Sequence, residues 1–132
     1  MRKLRAQPAD FDQIGRFVAA AAKKLAAAKK TLAIDEEACY QLAYEAMLKA
    51  SLGFMLSFGV RPRGLPGHHV TIIEFGREKL GREFEGLMAM FSRMRRKRHQ
   101  AIYDVAGFIS SREAEQALET AKEYLAIIRG EI

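Results

Sequence analysis

Apolar residues along most of the chain recur three or four positions apart, which is the spacing that places side chains on one face of an α-helix. The first such stripe follows Asp10, a favourable helix N-cap, and predicts a helix that ends near Thr31. Its members are Phe11, Ile14, Val18, Ala21, Leu25, Ala28 and Leu32. Residues 1–9 carry basic side chains and end near Pro8, and we expect a flexible lead-in there.

A second predicted helix, from Asp35 to about Phe58, is apolar on nearly every side. Acidic residues occupy its first turn, where the helix dipole favours them. A helix without a polar face packs against several neighbours, so this one is predicted to be central. Gly59 ends it, and residues 59–67 (GVRPRGLPG), with three glycines and two prolines, are predicted to form a long loop.

Three further helices are indicated downstream. A short one is predicted from His69 to Leu80, and a fourth from Arg82 to about Tyr103. A turn over residues 105–109 follows, and Ser110 or Ser111 then caps a fifth helix.

The apolar stripe of this fifth helix contains Ala114, Ala117, Leu118, Ala121, Leu125 and Ile128, and Gly130 is predicted to end the helix. Since Ala114 stands three residues after Ser111, we expect no capping box. No strand-like alternation is present. The predicted fold class is therefore all-α, an antiparallel up-and-down four-helix bundle with one extra short helix.

The chain of 132 residues has the size of one domain, so residues 1–132 are expected to form a single unit. Lys and Arg total 22 against 16 Asp and Glu, a net charge of +6 that permits an acidic or nucleic-acid partner. The lone Cys39 rules out an internal disulfide and fits a reducing compartment. No run is long and apolar enough for a membrane span, and the first residues lack the apolar segment of a secretory signal. We therefore expect a cytoplasmic location and no membrane partner.

The basic charge is concentrated in residues 93–104 (RMRRKRHQAIYD), at the end of the fourth helix. With Phe84, Phe91 and Ile102 taken as its inward face, a turn of about 100° per residue places Arg95 and Arg98 close to that face. An unpaired buried charge is costly. Either the bundle opens into a cleft there, or acids on other helices meet the arginines, or a second subunit covers them.

His99 continues this surface. Arg95, His99 and Tyr103 stand four residues apart and form one ridge, flanked by Arg96, whereas Arg93 points about 120° away from His99. Arginines hold phosphates, a histidine moves protons near neutral pH, and a tyrosine stacks on bases. These are the parts that RNA cleavage without a metal needs. The alternative is a solvated basic helix end with an incidental histidine.

Residues 93–103 resemble the C-terminal signature of the HEPN superfamily, small helical bundles of prokaryotic toxin–antitoxin and RNA-processing systems. One subset carries an Arg, four to six intervening residues and then a His, and Arg93 and His99 have five residues between them. Another has Arg-Asn, three residues and Tyr, and Arg98, His99 and Tyr103 keep that spacing with His in place of Asn. Residues 42–50, 59–62 and 67–69 also resemble the family, and the likeness extends over residues 35–129.

The resemblance implies a metal-independent endoribonuclease of toxin type that needs no cofactor. Its cleft would lie between the subunits of a homodimer, with Arg93 stabilising the phosphate and His99 acting in acid–base catalysis. Arg95, Arg96, Arg98 and Tyr103 would bind RNA or a nucleotide. The alternatives are a non-catalytic binding module that partners a nucleotidyltransferase-type antitoxin, and a plain dimerisation domain.

The pair His68 and His69, at the start of the third helix, raises the question of a metal site. Adjacent side chains on a helix point apart and few other ligands exist, so no metal is expected. The preferred interpretation of the pair is structural. A further hypothesis is that Arg61, Arg63 and His68 line one cleft and contact an anion.

Overall fold

The computed structural model describes residues 3–64, 68–103 and 108–132. These residues form five α-helices, one 3₁₀ turn at Arg82–Phe84 and a two-stranded sheet. The helices are α1 (Phe11–Thr31), α2 (Glu36–Ser57), α3 (His68–Leu80), α4 (Glu85–Tyr103) and α5 (Ser111–Glu131). The predicted all-α class is confirmed, whereas the up-and-down order of a four-helix bundle stays a prediction.

Side-chain caps fix the starts of α1 and α2 where the sequence predicts them. The Asp10 carboxylate accepts hydrogen bonds from the backbone N–H groups of Asp12 (3.0 Å) and Gln13 (3.3 Å). Asp35 accepts one from the N–H of Ala38 at 3.0 Å. These bonds satisfy donors that have no partner inside a helix, so each cap stabilises the first turn.

The second helix is central, as its apolar pattern predicts. It packs against α1, α3, α4 and α5, and its turns bury side chains on several sides, among them Tyr40, Tyr44 and Phe54. Gly59 follows it with φ +74°, a left-handed conformation that suits glycine and ends the helix. Although α2 is so apolar, no helix in the described ranges is long and apolar enough to cross a membrane.

A small sheet forms in two segments that are predicted to be irregular, residues 1–9 and the loop 59–67. Strand β1 (Leu4–Ala6) pairs antiparallel with β2 (Val60–Pro62). The sequence pattern does not predict these two strands, and residues 4–6 do not match the expected flexible lead-in. Strands of three residues are too short to produce a detectable alternation, and their pairing joins segments distant in sequence. Residues 65–67 of the predicted loop lie outside the described residues, as do residues 105–107 of the predicted turn.

The apolar stripe of α1 faces the core except at its first residue. Ile14, Ala21 and Ala28 are buried, and the other inner positions pack against the core. Phe11, which the periodicity assigns to the same stripe, is 87% exposed. It is the first residue of the helix, where the stripe passes the edge of the core.

The last helix begins with a capping box that the sequence analysis missed. Ser110 accepts a hydrogen bond from the Glu113 N–H at 3.1 Å, and the Glu113 carboxylate accepts one from the Ser110 N–H at 3.0 Å. The box begins at Ser110, one residue before Ser111, from which no capping box is expected. Lys97 of α4 also pairs with Glu113 at 3.3 Å, which ties the basic end of α4 to the start of α5. The predicted apolar stripe of α5 is buried, and the helix runs past Gly130 to Glu131.

Candidate functional site

The buried stripe of α4 carries an arginine. Phe91, Met94 and Ala101 are buried, and Arg98 stands between them at helical spacing. The Arg98 guanidinium carbon lies 5.6 Å from the centre of the Tyr44 ring, and its Nε is buried with no hydrogen-bond partner among the described residues. Ile102, which the sequence analysis put on the inward face, is 48% exposed. Ala101 takes that inward place, whereas Phe91 is buried as predicted.

Next to this arginine the helices leave an open cleft between the start of α3 and the second half of α4. Its volume is about 270 Å³. The lining residues are His68, His69, Val70, Arg95, Arg98 and His99, and we call it the histidine–arginine cleft. Within the described ranges no carboxylate lines it, and neither Arg95 nor Arg98 forms an ion pair there. Of the three arrangements considered for the inward arginines, a cleft is the one observed within the chain.

The innermost histidine of the cleft is held by a tyrosine of α2. The Tyr44 hydroxyl lies 3.1 Å from Nδ1 of His69, and the two rings are 5.8 Å apart, centre to centre. The His68 ring stands perpendicular to that of His69, at 4.6 Å. Burial lowers the pKa of His69, and the nearby charges of His68, Arg98 and Arg95 lower it further. These effects favour the neutral form of the His69 ring.

The tyrosine itself stays protonated. Burial raises the pKa of Tyr44 to about 12, against an opposing effect of Arg98 and Arg95. The hydroxyl of Tyr44 keeps its proton across the physiological range and can donate a hydrogen bond. Tyr44 and His69 are functional candidates that the sequence analysis missed, because their contact joins α2 to α3. The only signal in the sequence was the paired histidines at the start of a helix.

The predicted ridge on α4 is formed in part. Arg95 and His99 both line the cleft, and His99 is exposed. The Tyr103 ring lies 4.7 Å from that of His99 and is 74% exposed, but it does not line the cleft. Arg96 is exposed and also stands outside it. Tyr103 therefore adjoins the cleft at His99, and Arg96 stands one turn before His99 on the same helix.

The arginine of the family motif lies elsewhere. Arg93 is exposed and lines a groove of about 580 Å³ between α4 and α5, here called the Arg93 groove, together with Met90, Arg112, Glu115, Gln116, Glu119 and Thr120. Six residues along a helix correspond to about 120° of rotation and about 9 Å of rise. A single chain therefore does not bring Arg93 and His99 into one cleft.

The three residues proposed to share an anion site are also separated. Arg61 lines a different cavity of about 360 Å³ beside α1 and α2, and Arg63 donates from Nε to the Leu4 carbonyl at 3.2 Å. His68 alone reaches the histidine–arginine cleft, and it also borders an adjoining cavity with Glu45. In the part of the chain that the structure describes, no group of three or more His, Cys, Asp or Glu residues is placed to hold a metal ion.

Together these observations define a small helical domain with a basic, histidine-lined cleft between two of its helices. The chain belongs to the HEPN domain family, because the family model for the HEPN domain matches residues 15–131, nearly its whole length. No curated protein matches the chain.

Proposed function

We propose that this HEPN domain binds RNA in the histidine–arginine cleft and cleaves it without a metal ion. One observation carries the proposal: the cleft gathers Arg95, Arg98 and His99, and none of the described residues that line it is a carboxylate. Arginine guanidinium groups suit phosphate oxygens, and an imidazole ring is a common general acid or base. The fold thus supplies cations for a phosphodiester and a side chain that can transfer a proton.

The reaction proposed is an internal transesterification. His99 removes the proton from a 2′-hydroxyl, whose oxygen forms a bond with the adjacent phosphorus. The bond from phosphorus to the 5′-oxygen then breaks, and that oxygen takes up a proton from solvent. Arg95 and Arg98 stabilise the negative charge that accumulates on the phosphate during the reaction.

The strand is proposed to leave the cleft along the exposed side of α4. There the Tyr103 ring, already beside His99, is accessible for stacking on a base, and Arg96 is accessible to a phosphate. In the homodimer that the family resemblance implies, Arg93 would act on the RNA bound by the partner subunit. A toxin–antitoxin role, with a nucleotidyltransferase-type antitoxin as partner, belongs to the same proposal.

Cleavage of single-stranded RNA in the presence of a chelator tests the enzymatic part. We expect the wild type to cleave and His99→Ala to lose about 10²–10⁴ in rate, the usual contribution of a general acid–base group. Gln100→Ala is the matched control, because Gln100 is exposed on the same turn and does not line the cleft. Equal cleavage by wild type and His99→Ala would remove His99 from the mechanism.

A non-catalytic binding module is the second candidate. The separate placement of Arg93 and His99 favours it, since a chain acting alone lacks the paired motif residues. RNA with 2′-O-methyl groups resists cleavage and reports binding alone. If the wild-type protein binds this RNA and leaves ordinary RNA intact, the binding module is supported. Absence of binding to both RNAs, in a chain that still self-associates, favours a plain dimerisation domain.

A further inference from the structure

The contact between Tyr44 and His69 has a preferred direction. The Tyr44 side chain is fully buried, and a buried hydroxyl normally donates its proton to an acceptor. Among the described residues, the only hydrogen-bond partner of this hydroxyl is Nδ1 of His69. If Nδ1 carried the ring proton, the phenolic proton would have no acceptor there. The hydroxyl therefore donates to Nδ1, and the proton of the neutral ring resides on Nε2.

We propose that His69 is a neutral hydrogen-bond donor to an RNA phosphate, held in the Nε2–H form by Tyr44. This inference rests on the proposed RNA function. It adds to the same cleft a residue that donates a hydrogen bond while its ring stays neutral. Tyr44 is a positioning residue, since it acts through His69. His99, exposed at the rim, keeps the proton-transfer role.

The surroundings of His69 suit a neutral donor better than a third cation. Arg95 and Arg98 already bring two positive charges to the cleft, and His68 stands against the His69 ring. Burial and these neighbours lower the pKa of His69, so protonation is unfavourable near neutral pH. The other charged groups beside it, Glu45 and Lys49, line the adjoining cavity on α2. A neutral N–H group can form a directional hydrogen bond to a phosphate oxygen without adding a third positive charge to the cleft.

Nitrogen NMR of the imidazole rings in the free protein tests the tautomer without any RNA. His68→Gln and His99→Gln spectra assign the signals. At neutral pH we expect His69 in the Nε2–H form in the wild type and a mixture of tautomers in Tyr44→Phe. Tyr40→Phe removes the same group one turn earlier on α2, where Glu113 and Arg93 are the charged neighbours, and should leave the His69 signal unchanged. A wild-type ring in the Nδ1–H form, or doubly protonated, overturns the inference.

Binding of a short single-stranded 2′-O-methyl RNA tests the donor role. His69→Ala should weaken binding by about tenfold or more, the effect of a hydrogen bond to a charged group. His69→Gln should stay within about threefold of the wild type, because the amide is a neutral donor whose oxygen can accept from Tyr44. Thermal melts check that each variant is folded.

The outcomes separate the two proposals. If the wild type binds and His69→Ala binds equally well, the donor role is wrong and the RNA function stands. If His69→Gln is as weak as His69→Ala, a neutral donor is not what the site uses, and the inference fails. A folded wild type that binds no RNA overturns the proposed function, whereas the tautomer of the free protein is decided by NMR alone.

Discussion

Arg95 offers the clearest test of phosphate binding at the level of a single residue. It lines the histidine–arginine cleft, is half-buried and forms no ion pair within the described ranges. We expect Arg95→Ala to weaken RNA binding uniformly across sequences. It should also lower the slope of log affinity against log salt by roughly 0.7 to 1, because one fewer phosphate is neutralised. Fluorescence anisotropy at several salt concentrations measures both quantities.

The control for this charge change is Arg129→Ala, which removes an exposed arginine from the last turn of α5. It changes the net charge equally but leaves the cleft intact. If the two variants lose the same affinity and slope, binding follows overall charge, and the cleft is not the RNA site.

The residues of the cleft divide into those that a sequence can predict and those that it cannot. Arg95, Arg98 and His99 lie on one helix, so the helical repeat alone brings them to one side. The contact of Tyr44 with His69 depends on how α2 packs against α3, and no periodicity in the chain encodes that packing. Arg61 and His68 are near in sequence, yet β2 carries Arg61 to a different cavity.

At the scale of the elements, the start of α5 should contribute a measurable, acid-sensitive part of the stability. Hydrogen bonds from Ser110 and the Lys97 ammonium lower the pKa of Glu113 below its ordinary 4.5. A depressed carboxyl pKa stabilises the fold above the ordinary value, and this contribution is lost as the pH falls through the folded-state value. Urea unfolding should therefore show Glu113→Gln to be less stable than the wild type at neutral pH, with the difference vanishing in acid.

Two variants support this reading of the capping box. Ser110→Ala should cost about 1 kcal/mol in the free energy of unfolding, as the loss of a serine N-cap usually does. Glu123→Gln, an exposed change on the same helix, should alter stability little at any pH. A gap between wild type and Glu113→Gln that persists unchanged in acid would contradict the assignment of the stabilisation to the carboxylate.

A side chain at position 76 of α3 would lie against one side chain of α4 and one of α5. A Cβ there would lie 2.9 Å from Met88 Cε and 3.3 Å from the Tyr124 hydroxyl oxygen, and both of those side chains are fully buried. Gly76→Ala should destabilise the fold by about 1–3 kcal/mol, the usual effect of overpacking. Gly86→Ala in α4 meets open space and should be neutral or stabilise by up to about 1 kcal/mol. The two urea midpoints should therefore move in different directions; a common shift would contradict the packing argument.

For the whole molecule, the sequence predicts the long helices well because caps and apolar stripes are local signals. Asp10 and Asp35 mark helix starts that the structure confirms. The pairing of β1 with β2 joins segments more than 50 residues apart, and it adds a sheet that no local pattern could indicate. Arg93 and His99 illustrate the same limit of local patterns. The family spacing gives their separation along the chain but does not indicate which cavity each side chain lines.

A mixing experiment tests whether Arg93 and His99 act together across a homodimer. In a symmetric dimer with a shared site, each cleft takes His99 from one chain and Arg93 from the other. Arg93→Ala and His99→Ala should each be inactive alone. After subunit exchange half of the dimers are mixed, and one of the two sites in each mixed dimer is intact, so about a quarter of wild-type cleavage should return.

The mixed sample also distinguishes a site shared between two chains from a site formed within one chain. If Arg93 served the His99 of its own chain, every site in a mixed dimer would lack one residue and no activity would return. If Arg93→Ala alone cleaves like the wild type, Arg93 has no part in the reaction, and Arg95 and Arg98 are the only arginines that act with His99. Light scattering on the same samples establishes whether a dimer forms, and the recovered cleavage should rise with the dimer fraction as protein concentration increases.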